Sequence, residues 1–520
     1  MPGTSSRFDL AVVGSGFGGS LLAMIGRRLG WSVVLLEKDR HPRFAIGESS
    51  TPLANLLLEE IARAWDLPRL LPLSKWGTWQ EAHPDVGCGL KRGFTFYHHR
   101  LDARWRGAPD RADQLLVAAS PRDRIADTHW YRPDFDRLLV EEAQRLGAEL
   151  VDNLHLRGIR FTGSAHELEA TRDGRALSFH ARWVIDASGP RGFLHRALAL
   201  PEASFGAMPR TETLYTHFRD VRRWDALHPE PEKPPYPVDD AAMHHVFEGG
   251  WIWVLRFNNG LISAGVAAEP ALAKELRLAE GAPAWTRLLA RLPSVHDQFR
   301  DASPSRPFQH ASPLPFRSGR VTGPGWALLP SAAGFVDPLL STGFPLTLLG
   351  VQRLARVLEL ARGGAHDATL ETCLSAYAAQ TLAELDITAE LVAGLYACFG
   401  DFELFADLAL LYFAAAMYAE TVRRLGRPEK APAFLLHTHA SFGPALRACL
   451  ETARRKPSGQ ARTELRVALQ AAIEPFDLAG LGDPRRRHWY PALAADLLAA
   501  APKLEASSAE IQSLLARCGF

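Results

Sequence analysis

The stretch that constrains this chain most is Gly14-Ser15-Gly16-Phe17-Gly18-Gly19. It stands between FDLAVVG (8–14), continuously apolar like a buried strand, and SLLAMIGRRLG (20–30), apolar at helical spacing. A second strand-like run, WSVVLLEK (31–38), follows. Strand, helix and strand in that order predict a parallel pair with the crossover helix packed on the sheet. The spacing gives each glycine its own role, with Gly14 for the tight turn, Gly16 for close approach to a pyrophosphate and Gly19 for helix–strand contact. The helix N-terminus adds N–H groups and the positive end of a dipole. Glu37 closes the second strand where an acid meets a ribose 2′-OH, which favours FAD or NAD over NADP.

One such unit does not fill 520 residues, so further domains are expected. Residues 131–150 read as an amphipathic helix running into a strand. Residues 150–189 read as a small meander with a turn at Asp173-Gly174. From 207 to 320 strand-like segments alternate with a Pro-rich loop (229–237). Asn259-Gly260 signals a type I′ hairpin joining WIWVLRF to LISAGVAA. Beyond Gly343 the chain turns mostly helical. The expected architecture is α/β: a Rossmann-like dinucleotide domain (1–206, resumed at 321–365) interleaved with a β-sheet substrate domain (207–320), plus a helical C-terminal region (366–520).

Composition narrows the partners. A net charge of +1 offers nothing to nucleic acid. Five scattered cysteines form no CxxC or Cys/His metal spacing and suit a reducing cytoplasm, so no metal site is expected. The N-terminus has no signal-peptide pattern. The apolar stretch 408–418 falls short of the ~20 residues of a membrane helix and reads as a buried helix of a soluble protein.

Two further stretches carry chemistry. CGLKRGFTFYHH (88–99) reads as one strand with Lys91, Gly93, Thr95 and Tyr97 on one face. Lys91 is either a desolvated, reactive amine or one more cation beside Arg92, and Lys75 competes with it. In GGWIWVLRF (249–257), Trp251, Trp253 and Leu255 share one face, and Ile252, Val254 and Arg256 the other. The bland reading of the tryptophans is a core pair. His98-His99 and His244-His245 point to opposite faces of their strands and make poor paired ligands.

RFAIGESSTP (43–52), RWVIDASG (182–189) and PSAAGFVDPLLSTG (330–343) stand in the order of the glutathione-reductase-type FAD fold. Over roughly residues 8–360 the chain resembles the flavin-dependent halogenases, relatives of the aromatic monooxygenases. The resemblance implies FAD as cofactor. Gly47, Glu48 and Ser49 would form the strap between flavin and substrate sites, and Gly334, Asp337 and Pro338 would run along the flavin ring. Backbone N–H groups of Ser341, Thr342 and Gly343 would hold a halide, although the same residues also read as a helix cap. Lys91 matches the family's catalytic lysine, which presents oxidised halogen to an aromatic carbon. Trp251 and Trp253 match the Gly-Trp-x-Trp-x-Ile-Pro signature, whose tryptophans keep substrate away from the activated flavin.

Three positions depart from the family pattern. Pro330-Ser331 replaces Gly-Asp, which leaves Ser331 where an aspartate meets the ribityl chain. Arg256 replaces the signature proline and restores an N–H while adding a fixed charge. Leu340 stands where tryptophan halogenases carry a catalytic glutamate, so free tryptophan is not the expected substrate. The implied reaction uses FADH₂ from a separate flavin reductase, O₂ and halide on an electron-rich aromatic, free or carrier-tethered. A monooxygenase or dehydrogenase on the same fold, and a flavoprotein acting on a protein-tethered substrate, remain as alternatives.

Overall fold

The computed structural model describes residues 5–163 and 165–520. Strand Ser5–Val13 lies between Val33–Leu36 and Arg175–Asp186, parallel to both, with helix Phe17–Arg28 after it. Glu149–Val151 and Trp326–Leu328 extend the sheet in parallel on either side. Among the described residues this sheet has eight strands, including the antiparallel meander His155–Phe161 and His166–Arg172. Its turn places Asp173 at φ 49° and Gly174 at φ 77°, the two left-handed positions a type I′ turn requires.

The second sheet has nine strands among the described residues and is built on Glu212–Arg219, Ala242–Phe247, Gly250–Arg256 and Ile262–Ala268. Two of its strands come from within 1–206: Gly93–His98 pairs in parallel with Ala242–Phe247, and Gln114–Ala118 pairs with Gly93–His98. The segment 1–206 is therefore not wholly a dinucleotide unit. Both faces of Gly93–His98 are covered, so its sequence carries no alternation to show which sheet it joins.

Two local expectations change. WIWVLRF and the following strand do pair, Arg256 opposite Ile262, but through a three-residue loop. The Gly260 N–H donates to the Phe257 carbonyl and only Gly260, at φ 77°, is left-handed, which is a type I turn closed by a bulge rather than type I′. The stretch 88–99 is two strands. Cys88–Lys91 pairs with Asp127–Trp130, the chain breaks at Arg92, and Gly93–His98 enters the large sheet. The break turns Lys91 to the side of Phe94, so it does not share a face with Thr95 and Tyr97.

Helices Gly343–Arg362, Asp367–Ala397 and Phe402–Arg424 lead the C-terminal region. The last contains 408–418 and is, at 23 residues, long and apolar enough to cross a membrane, yet 83% of its apolar window is buried inside the fold. It is a core helix. Three tyrosines carry the region into the rest of the molecule: Tyr377 Oη donates to the Leu328 carbonyl (2.6 Å), Tyr396 Oη to Asp337 (2.9 Å) and Tyr412 Oη to the Leu340 carbonyl (3.0 Å).

Candidate active site

The glycine loop opens a cleft of about 390 Å³ that runs from Gly16 past Gly47 to Ser331, Gly334 and the Thr342–Gly343 turn. Gly14 adopts φ 94°, and its N–H bonds the Leu36 carbonyl at 2.8 Å. A Cβ on Gly19 would lie 2.0 Å from the Gly14 oxygen, so only glycine lets the helix seat against the strand. Glu37 accepts from the Ser15 N–H (2.9 Å) and hydroxyl (2.7 Å), with Arg43 at 3.3 Å. Burial raises its carboxyl, but Arg43 and the Ser15 bonds outweigh it and hold the group below its ordinary value, ionised.

Arg43 and Arg132 flank the loop, and a Cβ on Gly16 would stand 3.5 and 3.4 Å from their respective guanidinium groups. Arg132 forks onto Asp136 (2.8 Å twice) and donates to the Gly47 carbonyl at 3.0 Å. Arg43 Nε is buried and meets Glu37 only as an ion pair, without a hydrogen bond. Two cations and a glycine-lined loop fit the diphosphate of a dinucleotide, with Glu37 at hand for its ribose. Neither arginine stands out in the sequence, although Arg43 opens the RFAIGESSTP stretch. Ser331 faces this cleft, so no carboxylate stands at that position.

Beyond the cleft lies a passage of about 130 Å³ walled by Trp251, Trp253, Glu48, Ser49, Pro338 and Ser341; Gly47, Asp337 and Gly343 border both spaces. The tryptophans do share the inner face. Trp253 fits because its cross-strand partner is Gly265, where a Cβ would lie 2.4 Å from the indole. Trp251 Nε1 donates to Tyr396 Oη (3.1 Å), which donates in turn to Asp337. Burial pushes the Asp337 carboxyl up to about 7. Glu48 is committed to His217 at 2.9 Å, leaving its other oxygen and His217 Nδ1 buried without partners. Neither His217 nor Tyr396 gave any sequence signal.

Arg256 leaves the passage entirely. On the outer face it donates to buried Asp239 (3.0 Å) and to the Val221 carbonyl (3.0 Å). It anchors a loop. The histidine pairs also split as expected: His244 lies against Trp251 inside, whereas His245 meets His99 at 2.9 Å outside.

Before helix Gly343–Arg362 the chain is strained: Leu340 and Ser341 have φ of 63° and 56°, uncommon for side chains of this size. The Tyr412 bond to the Leu340 carbonyl and the Ser341 N–H bond to the Pro338 carbonyl hold the turn. Thr342 is the N-cap residue, yet its side chain makes no capping bond, and the space beside Gly343 is open. Side-chain capping therefore does not account for these residues.

Lys91 is 0% exposed. Its Nζ donates to Ser49 Oγ (2.9 Å) and to the Ser50 carbonyl, and stands 3.8 Å from the Phe94 ring centre. Ser49 walls the passage; Phe94 walls a third cavity of about 180 Å³, with Leu53, Asp127, Tyr412 and Phe413. Lys91 borders neither space itself and lies between a residue of each, Ser49 on the passage side and Phe94 on the chamber side. Burial lowers its ammonium, and Asp127 across the strand pair partly opposes that. Lys75 also borders the chamber, half-buried.

Residues 9–316 match the family model of FAD-dependent oxidoreductases. The chain belongs to that family, and FAD is its cofactor. It is 30% identical over 363 residues to the monodechloroaminopyrrolnitrin halogenase PrnC of Pseudomonas fluorescens, a match covering 68% of this chain and 61% of PrnC. It is 29% identical over 357 residues to the tetracycline 7-halogenase of Kitasatospora aureofaciens, covering 65% and 61%. The match thus spans less than two thirds of each relative. The crystal structure of the halogenase PltM superposes with a TM-score of 0.82 at 25% identity, covering 93% of this chain and all of PltM. Within the family, the resemblance is to the flavin-dependent halogenases.

Proposed function

We propose that this protein is a flavin-dependent halogenase acting on an electron-rich aromatic other than free tryptophan. The observation that carries the reading is Lys91: a fully buried amine placed between a tryptophan-walled passage from the cofactor cleft and an apolar chamber. Reduced FAD, when bound, supplies with O₂ the oxidising power that turns halide into hypohalous acid. Of the turn 341–343, the Ser341 N–H is taken by the Pro338 carbonyl, and Thr342 and Gly343, which border the cleft, are left to hold the halide through their backbone N–H groups. Trp251 and Trp253 exclude the aromatic from the cofactor. Lys91, whose burial favours the uncharged amine, binds the oxidant and presents it to the ring in the chamber. Gly47, Glu48 and Ser49 bear on both ends of that path, because Ser49 bonds the lysine while Gly47 borders the cleft.

A single dinucleotide fingerprint suits supply of the reduced cofactor by a separate flavin reductase. Five unpaired cysteines suit a cytoplasmic setting. Two of the similar proteins are named as acting on carrier-bound pyrroles, so a tethered substrate belongs to this reading as well. The domain limits 1–206, 207–320, 321–365 and 366–520 serve as a description of function only once residues 93–118 are counted with the substrate sheet.

The test mixes the protein and chemically reduced FAD with O₂, bromide and a panel of phenols and indoles. Brominated product, read from its isotope pair by mass spectrometry and absent with Lys91→Ala, supports the halogenase. Hydroxylated product that ignores bromide would replace it with a monooxygenase.

A further inference from the structure

The chamber holds an acid that sequence did not reveal. Asp127 begins strand Asp127–Trp130 and stands directly opposite Lys91 in the pairing register, so both side chains leave the two-stranded ribbon on one face. They are not bonded to each other. The ammonium goes to Ser49 and Ser50, and Asp127 Oδ1 accepts from Asn55 Nδ2 at 2.8 Å. Asp127 Oδ2 has no hydrogen-bond partner among the described residues, and the residue borders the chamber. Phe94, Tyr412, Phe413 and Leu53 give that wall an apolar and aromatic part, and Lys75, Arg424 and several hydroxyl side chains a polar one. A second carboxylate, Glu420, also borders the chamber but is paired with Arg424 at 2.7 Å.

A carboxylate oxygen without a donor, on a residue only 7% exposed, is poorly solvated, and a neutral O–H arriving with an aromatic ring would satisfy it without adding charge. We infer that Asp127 is a catalytic residue that binds the hydroxyl of a phenolic substrate and takes its proton, with the ring then lying against Lys91. The inference rests on the halogenase reading and names its substrate class. As the proton transfers, the phenol O–H bond breaks, its electron pair stays on the phenolate oxygen, and a carboxyl O–H forms. The activated ring carbon then attacks the halogen of the hypohalous acid at Lys91. The C–X bond forms, the O–X bond breaks, and the released hydroxide takes the Asp127 proton as water. The dienone loses its ring hydrogen to the phenolic oxygen, and the net change is phenol plus hypohalous acid giving halophenol plus water. The surroundings point the same way: burial and then Glu420 raise the Asp127 carboxyl, opposed by Lys91, Asn55 and Arg424, which favours its taking a proton.

The test pairs 1-naphthol with 1-methoxynaphthalene, which has no proton to give, on the full FAD-loaded chain. Equilibrium binding is read by naphthalene fluorescence and bromination by mass spectrometry. Asp127→Asn is expected to weaken naphthol binding about tenfold and leave the ether unchanged. It is expected to slow naphthol bromination about 10²-fold relative to the ether. Glu451→Gln, an exposed carboxylate outside the chamber, should leave the naphthol preference intact. If Asp127→Asn does not fold, Asp127→Glu serves: it retains the preference while slowing naphthol turnover. Equal effects on naphthol and ether would overturn the inference. A preserved preference for naphthol with no brominated product from any variant would instead overturn the halogenase reading and leave the hydroxyl site standing.

Discussion

The cofactor cleft and the lysine chamber are built by different means. The cleft is made of main chain: a left-handed Gly14, a Gly19 that tolerates no Cβ, and a turn at 341–343 with open space beside Gly343. Its parts lie within short stretches whose spacing is itself the structure. The chamber is made of side chains from remote segments: Leu53 after the strap, Phe94 and Asp127 from two sheets, Tyr412 and Phe413 from the C-terminal helices. Main-chain sites need particular residue types at fixed intervals. Side-chain sites need only that distant residues converge, which leaves no local trace.

If the two regions are separable, disabling one should spare the other. Lys91→Ala is expected to lower bromination about 10²–10⁴-fold while bound FAD, read by its absorbance, is unchanged; loss of FAD would mean that the lysine also supports the cleft. Asp337 sits at the border, with its carboxyl raised from 3.8 to about 7 by burial. The folded protein keeps that proton to about pH 7, whereas the unfolded chain releases it near pH 4. Its stabilising contribution is therefore complete below pH 4 and is lost as pH rises through 7, by about 4 kcal/mol in all. Denaturant melts of wild type and Asp337→Asn at pH 5 and pH 8 should show the gap between them move with pH, and a constant gap would remove Asp337 from this role.

Gly19→Ala drives a methyl into the Gly14 carbonyl and should cost about 1–3 kcal/mol together with most of the bound FAD. Full FAD occupancy in that variant would show that the loop has slack. The smallest effect expected is for Tyr396→Phe, which breaks the bonds to Trp251 and Asp337. It should lower stability by about 1 kcal/mol and raise the share of O₂ consumed without brominated product. An unchanged share would mean that Trp251 holds its place by packing alone.

Much of the architecture was legible from residues. The βαβ start, the meander turn at Asp173-Gly174 and the inward face of Trp251 and Trp253 all follow periods of 2 or 3.6 and turn chemistry. The errors cluster where a local rule had to compete with pairing. Arg92 interrupts what reads as one strand because Cys88–Lys91 and Gly93–His98 find partners in different sheets. Asn259 stays out of the left-handed region because the strands pair Arg256 with Ile262, one residue off the register a two-residue loop at Asn259-Gly260 would set, which leaves a three-residue loop. Arg256 offered two roles by sequence, and the Asp239 carboxylate on the outer face settles which it plays.

From its order of residues alone, this chain specified a dinucleotide-binding αβ core, the motifs along the cofactor, and a lysine and two tryptophans worth attention. Those are local matters of spacing, turn and backbone freedom. The fold settled that Lys91 is buried between passage and chamber, that Asp127 faces it, that Tyr396 ties Trp251 to Asp337, and that the helical C-terminal region completes the chamber. Burial and proton affinity belong to an environment assembled from the whole chain, and no segment carries its environment with it.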